Sequence, residues 1–195
     1  MSAKGALFVV SAPSGAGKTT LVNLVRERLP NLAYSVSSTT RPPRAGEVHG
    51  RDYFFLSEQE FKKGVEEGRW AEWARVHGNY YGTDARWLED ALDAGCFLLL
   101  DIDVQGARQI KQRFPDGVFV FILPPSMEEL KRRLAGRGTD DPDVVARRLA
   151  DAEWEMDNRD FYDHEIMNDD LETAAGELLS IIRSRGEPPP CPAAT

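Results

Sequence analysis

The sequence has little cysteine and little histidine, with two cysteines and three histidines in 195 residues. Cys96 lies in an apolar run and Cys191 in a proline-rich tail, a spacing that provides neither a disulfide framework nor a set of metal ligands. His49, His77 and His164 are scattered along the chain and also lack ligand spacing. These shortages argue against a disulfide-rich secreted scaffold and against a zinc enzyme, and they fit a reducing cytoplasm.

The chain also lacks a long hydrophobic run and an excess of positive charge. No apolar stretch approaches the roughly 20 residues that span a bilayer, and the first residues lead into a predicted strand without room for a cleavable signal. The formal net charge of -8 disfavours non-specific binding to nucleic acids or membranes, which depends on positive surface charge. We therefore expect a cytoplasmic protein with no nucleic-acid partner and no membrane partner, either a monomer or a homo-oligomer.

Near the N-terminus, an apolar run breaks into a glycine-bearing turn and then into a helix. The phosphate-loop signature Gly-x4-Gly-Lys-Ser/Thr matches at Gly17, Lys18 and Thr19, with Ala12 in place of its first glycine. Gly15 and Gly17 allow the backbone N–H groups to point at a phosphate, and the helix N-terminus adds partial positive charge. Lys18 is expected to reach the outer phosphates and Thr19 to bind magnesium. The pattern predicts nucleoside triphosphate binding, and the alternative is a chance match in an ordinary loop.

The rest of the chain predicts an α/β fold. Apolar runs at 96–100 and 118–123 alternate with helical patterns, as expected for a parallel sheet with helices on both faces. Residues 31–82 are rich in Ser, Thr, Arg, Gly and Tyr and alternate in polarity, so they predict a separate lobe. The proline-rich tail at 185–195 has nothing to bury and is expected to be disordered.

Five separated motifs occur in order within residues 5–184. They are SSTTRPPRAGEVHGRDYFF at 37–55, GNYYGT at 78–83, LDIDVQG at 100–106, GRG at 136–138 and NDD at 168–170. In this order and at these spacings they resemble the guanylate kinase family. The resemblance implies a P-loop parallel-sheet core, an inserted mixed-sheet GMP-binding lobe and a helical lid. The expected bounds are 5–30, 83–132 and 156–184 for the core, 31–82 for the lobe and 133–155 for the lid.

The same resemblance implies an activity and a set of ligands. ATP and GMP would be converted to ADP and GDP with Mg2+, and dGMP would serve beside GMP as acceptor. The ATP-binding residues would be Ala12, Pro13, Ser14, Gly15, Ala16, Gly17, Lys18, Thr19, Thr20, Arg133, Arg137 and Asn168. The GMP-binding residues would be Ser37, Arg41, Arg44, Tyr53, Glu72, Tyr81, Thr83, Asp101 and Arg148. The catalytic residues would be Lys18, Arg41, Arg137 and Arg148.

Two positions depart from common patterns. Ala12 weakens the general phosphate-loop signature but resembles the family's own loop. Thr83 stands where serine is common in the family, and it keeps the hydroxyl group. Neither departure removes a functional group that the resemblance requires.

The residues themselves fit this chemistry. A phosphate acceptor is already anionic near pH 7, because its second pKa is about 6, so no general base is needed. Guanine presents two adjacent donors, and the carboxylates of Glu72 and Asp101 could accept from them. Without the resemblance, Glu72 would more simply be a surface carboxylate. Asp103 faces the same side as Asp101 at a strand's carboxyl end, where it could bind magnesium through water together with Thr19 or instead cap a helix.

Two other functions remain open at this point. A guanylate-kinase-like protein-interaction module would keep the fold without turnover, but such modules typically lose phosphate-loop or lid residues, and Lys18, Thr19 and Arg137 are present here. A kinase of another nucleoside monophosphate or of a phosphorylated sugar is the second alternative. Glu72 and Asp101, with Ser37, favour guanine over both.

Overall fold

The computed structural model of the chain describes residues 5–76, 78–135 and 142–191. Its strands are β1 (Ala6–Ser11), β2 (Ala33–Tyr34), β3 (Ser38–Thr39), β4 (Phe54–Phe55), β5 (Trp70–Val76), β6 (Asn79–Asp84), β7 (Phe97–Asp101), β8 (Val118–Leu123) and β9 (His164–Met167). Its helices are α1 (Lys18–Arg28), α2 (Glu58–Glu66), α3 (Ala85–Asp93), α4 (Val104–Arg113), α5 (Met127–Ala135), α6 (Pro142–Asp157) and α7 (Leu171–Arg183). Within these described ranges, no helix is long and apolar enough to cross a membrane.

A five-stranded parallel sheet in the order β2-β7-β1-β8-β9 forms the core. The apolar runs of β1, β7 and β8 are buried because helices cover both faces of this sheet. Alternate residues of β1 point to opposite faces: Phe8 and Val10 pack in a cluster with residues of α1 and α7. Leu7 and Val9 pack in another cluster with residues of α3 and α4. The predicted α/β class with helices on both faces is confirmed.

A second, mixed sheet of four strands in the order β4-β3-β6-β5 forms the predicted lobe. β3 pairs with β4 in parallel, and the β5–β6 hairpin adds antiparallel pairs. Ser57 opens α2 with a capping box, because its hydroxyl accepts from the Glu60 N–H while the Glu60 carboxylate accepts from the Ser57 N–H. Along the chain, the mixed sheet of the lobe begins later than residue 31 and ends later than residue 82. Ala33 and Tyr34 belong to the core sheet through β7, and the hairpin continues to Asp84.

The carboxyl ends of the core strands meet at one edge of the sheet. β1 runs into the glycine-bearing loop and α1, and β7 ends at Asp101. β9 ends one residue before Asn168. Because ligands of open α/β sheets bind outside the carboxyl ends of the strands, this edge is the expected position of the functional site.

The C-terminal segment lies against the opposite part of the core. Pro188 is buried, and Cys191 forms a disulfide with Cys96, just before β7. The expected disorder from residue 185 is therefore wrong for 185–191, while 192–195 lie outside the described residues. The inference that the two cysteines have no disulfide role is also wrong. Local composition could not reveal the pairing, because the two residues are 95 positions apart.

The disulfide should make thermal stability sensitive to reductant. Under oxidising conditions we expect Cys191→Ser to lower the Tm, because the cross-link closes a loop of 95 residues and could stabilise the fold by up to about 4 kcal/mol. Melts with and without dithiothreitol provide the measurement. Reductant should bring the parent to the Tm of the variant and leave the variant unchanged. Equal Tm values in the absence of reductant would contradict the expectation.

Candidate functional site

The loop between β1 and α1 has the backbone that an anion site needs. Gly15 and Gly17 have φ values of 92° and 91°, in the left-handed region that favours glycine. Gly17 occupies the N-cap of α1, and no side chain there accepts a hydrogen bond from the first turn. The N–H groups at the start of α1 are therefore available to a ligand, with the helix dipole adding to their effect.

The side chain of Asn168 forms a hydrogen bond with the backbone of this loop. It is buried, with 6% of its surface exposed, and its Nδ2 donates to the Ala16 carbonyl oxygen at 2.7 Å. A Cβ on Gly17 would lie 2.5 Å from the same Nδ2 atom. The glycine thus permits both the left-handed turn and the close approach of the Asn168 amide.

Two cavities adjoin at the carboxyl edge of the core sheet. The loop cavity, of about 470 Å3, is lined by Ala12, Pro13, Ser14, Gly15, Gly17, Lys18, Thr19, Thr20, Arg44, Arg75, Val76, Asp103, Gln105, Arg148, Asp151, Trp154 and Glu155. The lobe cavity, of about 270 Å3, is lined by Lys18, Thr19, Ser37, Tyr53, Glu72, Val76, Tyr81, Asp101, Ile102 and Asp103. Lys18, Thr19, Val76 and Asp103 belong to both linings. A group bound in one cavity would therefore face a group bound in the other across Lys18.

A larger cavity, of about 810 Å3, lies at the amino end of the sheet between the last turn of α3 and the segment before β8. Its wall includes Phe97 and Phe114, and the Arg113 guanidinium there is paired with Glu89 at 2.5 Å. The phosphate loop is far from this cavity, so size alone does not identify the site.

Lys18 is held where the two cavities join. Its Nζ lies 2.5 Å from Asp101 Oδ1 and donates to the Ile102 carbonyl oxygen at 3.2 Å. Burial alone would lower the pKa of Lys18, but the neighbouring Asp101 carboxylate outweighs it, and the pKa is raised. The ammonium group therefore stays charged in a place where a phosphate would meet it.

Glu72 is a buried carboxylate that borders the lobe cavity. It is 3% exposed, and its Oε1 accepts from the Thr83 hydroxyl at 2.7 Å, because β5 and β6 place these two residues opposite each other. Burial raises the pKa of Glu72 to about 7, although the Thr83 hydrogen bond opposes this shift. The carboxylate lacks a cationic partner in the described contacts, so a ligand with N–H donors would be its natural complement.

One carboxylate organises two arginines of the lobe. Arg41 Nη2 donates to Glu47 Oε1 at 2.8 Å and to Oε2 at 3.0 Å, and the Arg44 backbone N–H donates to Oε2 at 2.7 Å. The hydrogen bond from Arg41 holds the pKa of Glu47 below its ordinary value. The carboxylate therefore fixes the side chain of Arg41 and the backbone at Arg44 within one turn.

Another carboxylate reaches the phosphate loop from α6. Glu155 lines the loop cavity together with Ser14 and Lys18. Burial raises the pKa of Glu155 to about 7, against the opposing effect of the Lys18 charge. A carboxylate of α6 therefore borders the same cavity as the loop in the ligand-free protein.

Comparisons with known proteins agree with this geometry. The guanylate kinase family model matches residues 4–185. The guanylate kinase of Geobacter metallireducens is 53% identical over 182 residues, covering 93% of this chain and 90% of that protein. The guanylate kinase of Rubrobacter xylanophilus is 51% identical, covering 92% and 94%. The crystal structure of guanylate kinase from Anaplasma phagocytophilum superposes with a TM-score of 0.78 at 37% identity, covering 93% of this chain and 86% of that chain.

The chain belongs to the guanylate kinase family.

The residues expected to bind ATP do not all lie together. Those from Ala12 to Thr20 line the loop cavity, except Ala16, which contributes the carbonyl that Asn168 binds. Arg133 pairs with Glu129 at 2.9 Å and is outside the cavity linings. Arg137 lies outside the described residues. The structure therefore places the loop residues together and directs Arg133 elsewhere in the ligand-free protein.

The residues expected to bind GMP lie mostly around the lobe cavity. Its lining includes Ser37, Tyr53, Glu72, Tyr81 and Asp101. The remaining ones are Thr83, which bonds to Glu72, Arg41, which is held by Glu47, and Arg44 and Arg148, which line the loop cavity.

Asp103 shows the capping contact that sequence reasoning offered as its alternative role. Its Oδ1 accepts from the Gly106 N–H at 2.9 Å at the start of α4. Its position in both cavity linings leaves the water-mediated magnesium role as a prediction.

Sequence reasoning missed two carboxylates at this family site. Glu47 gave a local signal, since it lies in the same quoted motif as Arg41 and Arg44. Glu155 gave none, because a carboxylate on an amphipathic helix ordinarily faces solvent. Its place beside Ser14 depends on how α6 packs over the loop.

Burial of Glu72 should make the fold less stable as the pH rises. Its pKa is raised to about 7 from an ordinary value of 4.5, so its stabilising contribution is complete below about pH 4.5 and is lost as the pH rises through about 7. Glu72→Gln cannot ionise, and we expect its Tm relative to the parent to increase between pH 4.5 and about pH 7 and then to level off.

Thermal melts across this pH range, without nucleotide, provide the measurement. Glu177→Gln is the matched control, because Glu177 is exposed on α7, and its Tm difference should stay nearly constant. A Tm difference for Glu72→Gln that does not change with pH would show that the carboxylate is not buried as described.

Proposed function

We propose that the protein transfers the γ-phosphoryl group of ATP to GMP, giving ADP and GDP in purine nucleotide metabolism. The observation that carries this proposal is the pair of cavities that meet at Lys18, one against a phosphate loop and one lined by carboxylates and tyrosines. Its relatives named guanylate kinase, at about 50% identity over most of the chain, support the same activity.

Guanine would occupy the inner part of the lobe cavity. Its N1–H and 2-amino groups are adjacent donors, and the Glu72 carboxylate can accept from them while Thr83 holds its other oxygen. Asp101 and Ser37 border the same cavity. Adenine would leave these acceptors without a donor, and mismatches of that kind can give about 10⁴-fold discrimination.

The GMP phosphate would lie toward the outer part of the lobe. Tyr53 and Tyr81 line the cavity there with ring centroids 6.1 Å apart, and their hydroxyl groups can donate to phosphate oxygens. Arg41 stands 5.4 Å from the Tyr53 ring centroid. Arg41 and Arg44 would complete the anion site, since arginine forks match phosphate oxygens.

ATP would bind with its phosphates on the loop. The open N–H groups of α1 and the left-handed turns at Gly15 and Gly17 suit the outer phosphates, and Arg148 borders the same cavity. We propose that Arg133, Arg137 and Arg148 bind the phosphates, as the family resemblance implies, and that Asn168 lies near the adenine.

Transfer needs positioning and charge stabilisation more than proton chemistry. The attacking oxygen of GMP is already anionic near pH 7, so no general base is required. Lys18 holds positive charge between the two substrates, where negative charge spreads over the transferred group. To contact phosphate, its ammonium group would exchange Asp101 for a phosphate oxygen.

The residues present fit a magnesium ion that arrives with ATP. Among the described residues, no group of three or more His, Cys, Asp or Glu side chains could hold a metal ion on its own. Thr19 and Asp103 nevertheless line both cavities, and Mg2+ typically takes one or two protein oxygens together with phosphates and waters. We propose that Thr19 binds it directly and Asp103 through water. When bound, the ion would neutralise charge on the ATP phosphates.

The chain's three parts would then have separate tasks. We propose that the lobe binds GMP, the core binds ATP and the segment at 133–155 closes over the phosphates to exclude water. A cytoplasmic location and use of dGMP belong to the same proposal.

A panel of acceptors separates this proposal from its alternatives. With ATP and Mg2+, coupled release of ADP should be strong with GMP and weak with AMP, UMP and phosphorylated sugars. No ADP release with any acceptor would favour a protein-interaction module. Preferential turnover of another monophosphate would make the guanine assignment wrong.

Lys18→Met should reduce kcat by about 100-fold or more, as for the loss of a charged group that stabilises the transition state. The fold should persist, because the ammonium group lies at a cavity wall. Lys62→Met is the matched control: Lys62 is exposed on α2 and pairs with Glu58, and its loss should leave kcat nearly unchanged. Steady-state kinetics with a thermal melt measure both. A Lys18→Met protein with near-parental kcat would contradict the assigned role.

A further inference from the structure

The backbone conformation at residue 106 does not require a glycine. Gly106 lies in the first turn of α4, where its φ is outside the left-handed region, and alanine is the more favourable residue inside a helix. Its role must therefore depend on the absence of a side chain.

The space beside Gly106 is filled by Glu72. A Cβ at this position would lie 2.4 Å from Glu72 Oε2 and 3.0 Å from Glu72 Cδ. The same Cβ would lie 3.2 Å from Asp103 Oδ1, a milder contact that a small shift could relieve. The severe overlap is thus with the carboxylate, and the α4 backbone forms one wall of the place where it rests.

Glu72 has little freedom to move away. It is 3% exposed, and its other oxygen is held by the Thr83 hydroxyl at 2.7 Å. The carboxylate therefore lies between Thr83 on one side and the bare backbone of Gly106 on the other. Glu72 also borders the lobe cavity. Displacing Oε2 would either break the Thr83 hydrogen bond or turn the carboxylate away from its present direction.

We infer that Gly106 is a positioning residue for recognition of the guanine base, acting through Glu72. This inference rests on the proposed function, in which Glu72 accepts from guanine. Gly106 itself touches no substrate; it lets a carboxylate of the lobe lie against a helix of the core. Its presence determines where the acceptor for N1–H and the 2-amino group stands.

Two tightly packed glycines of the lobe, Gly64 and Gly82, differ from Gly106 in kind. A Cβ on Gly64 would meet the Trp70 ring, and a Cβ on Gly82 would meet the Phe61 ring, at about 3 Å. The nearest side chains there are apolar rings that stack together, and the Gly82 Cβ would also lie 3.1 Å from the Glu72 carbonyl oxygen, which is backbone and not the carboxylate. Gly106 differs because its neighbour is a charged group at a cavity wall, so the expected consequence is a change in ligand selection.

The first test is Gly106→Ala assayed with GMP and with IMP, which lacks the 2-amino group. We expect the KM for GMP to rise about tenfold or more, with kcat at saturation changed less than about threefold, because a contact with the base is made in the ground state and in the transition state alike. The preference for GMP over IMP should fall. Gly176→Ala is the matched control, since a Cβ there meets nothing within 4 Å on α7, and it should behave as the parent.

The second test asks whether a shorter carboxylate relieves the overlap. In the parent, Glu72→Asp should weaken the binding of GMP and raise its KM, because the side chain is shorter by one methylene and withdraws the acceptor. In the Gly106→Ala background the same change should improve the KM for GMP and the preference over IMP. This reversal of sign would not arise from a general loss of structure.

The outcomes separate this inference from the function on which it rests. A parent that does not prefer GMP would make the proposed function wrong. A parent that prefers GMP, together with a Gly106→Ala variant of unchanged KM and preference, would overturn only the positioning role. Loss of folding or of kcat in Gly106→Ala that Glu72→Asp fails to relieve would overturn it as well.

Discussion

The 2.5 Å ion pair between Lys18 and Asp101 is the interaction on which the site depends. It joins the phosphate-loop helix to the end of the neighbouring strand, and it keeps a charged ammonium group where both cavities meet. Arg41 of the lobe is likewise paired with a carboxylate, that of Glu47, at 2.8 Å. Lys18 and Arg41 are thus paired with the protein's own carboxylates, so a phosphate that bound to them would replace one anion with another. In the ligand-free protein, this pairing avoids leaving a partly buried cation without a partner before substrate arrives.

The buried Glu72 and the half-buried Glu155 show what this arrangement costs in stability. Burial raises the pKa of both Glu72 and Glu155 to about 7, so each is less favourable when ionised than an exposed carboxylate would be. For Glu72, the same burial removes competing water from the position where guanine would donate. The destabilising burial and the proposed selectivity would therefore have one physical origin, and a more stable substitute at this position would be a poorer acceptor.

The parts of the structure that the sequence predicted are those in which neighbours along the chain decide the conformation. The strand, the loop and helix α1 follow one another without interruption, and Ser57 with Glu60 forms a local capping box. The parts that it did not predict depend on distant pairing. Ala33 joins the core sheet only because β7 lies beside it, and Cys191 meets Cys96 across 95 positions. Glu72 could be assigned to guanine only by family resemblance, since the register that places it opposite Thr83 emerges from the folded hairpin.

Three glycines of the motifs, Gly15, Gly17 and Gly106, lie where separate segments of the molecule approach one another. A Cβ on Gly15 would lie 3.0 Å from Leu134 of α5, one on Gly17 would reach Asn168 after β9, and one on Gly106 would overlap Glu72 of the lobe. Only the first two have a left-handed backbone, so a turn requirement explains them in part and Gly106 not at all. What the three share is a side chain from another segment resting on the bare backbone. Because each contact joins two separate segments of the chain, a single methyl group at any of them would alter the spacing between those segments.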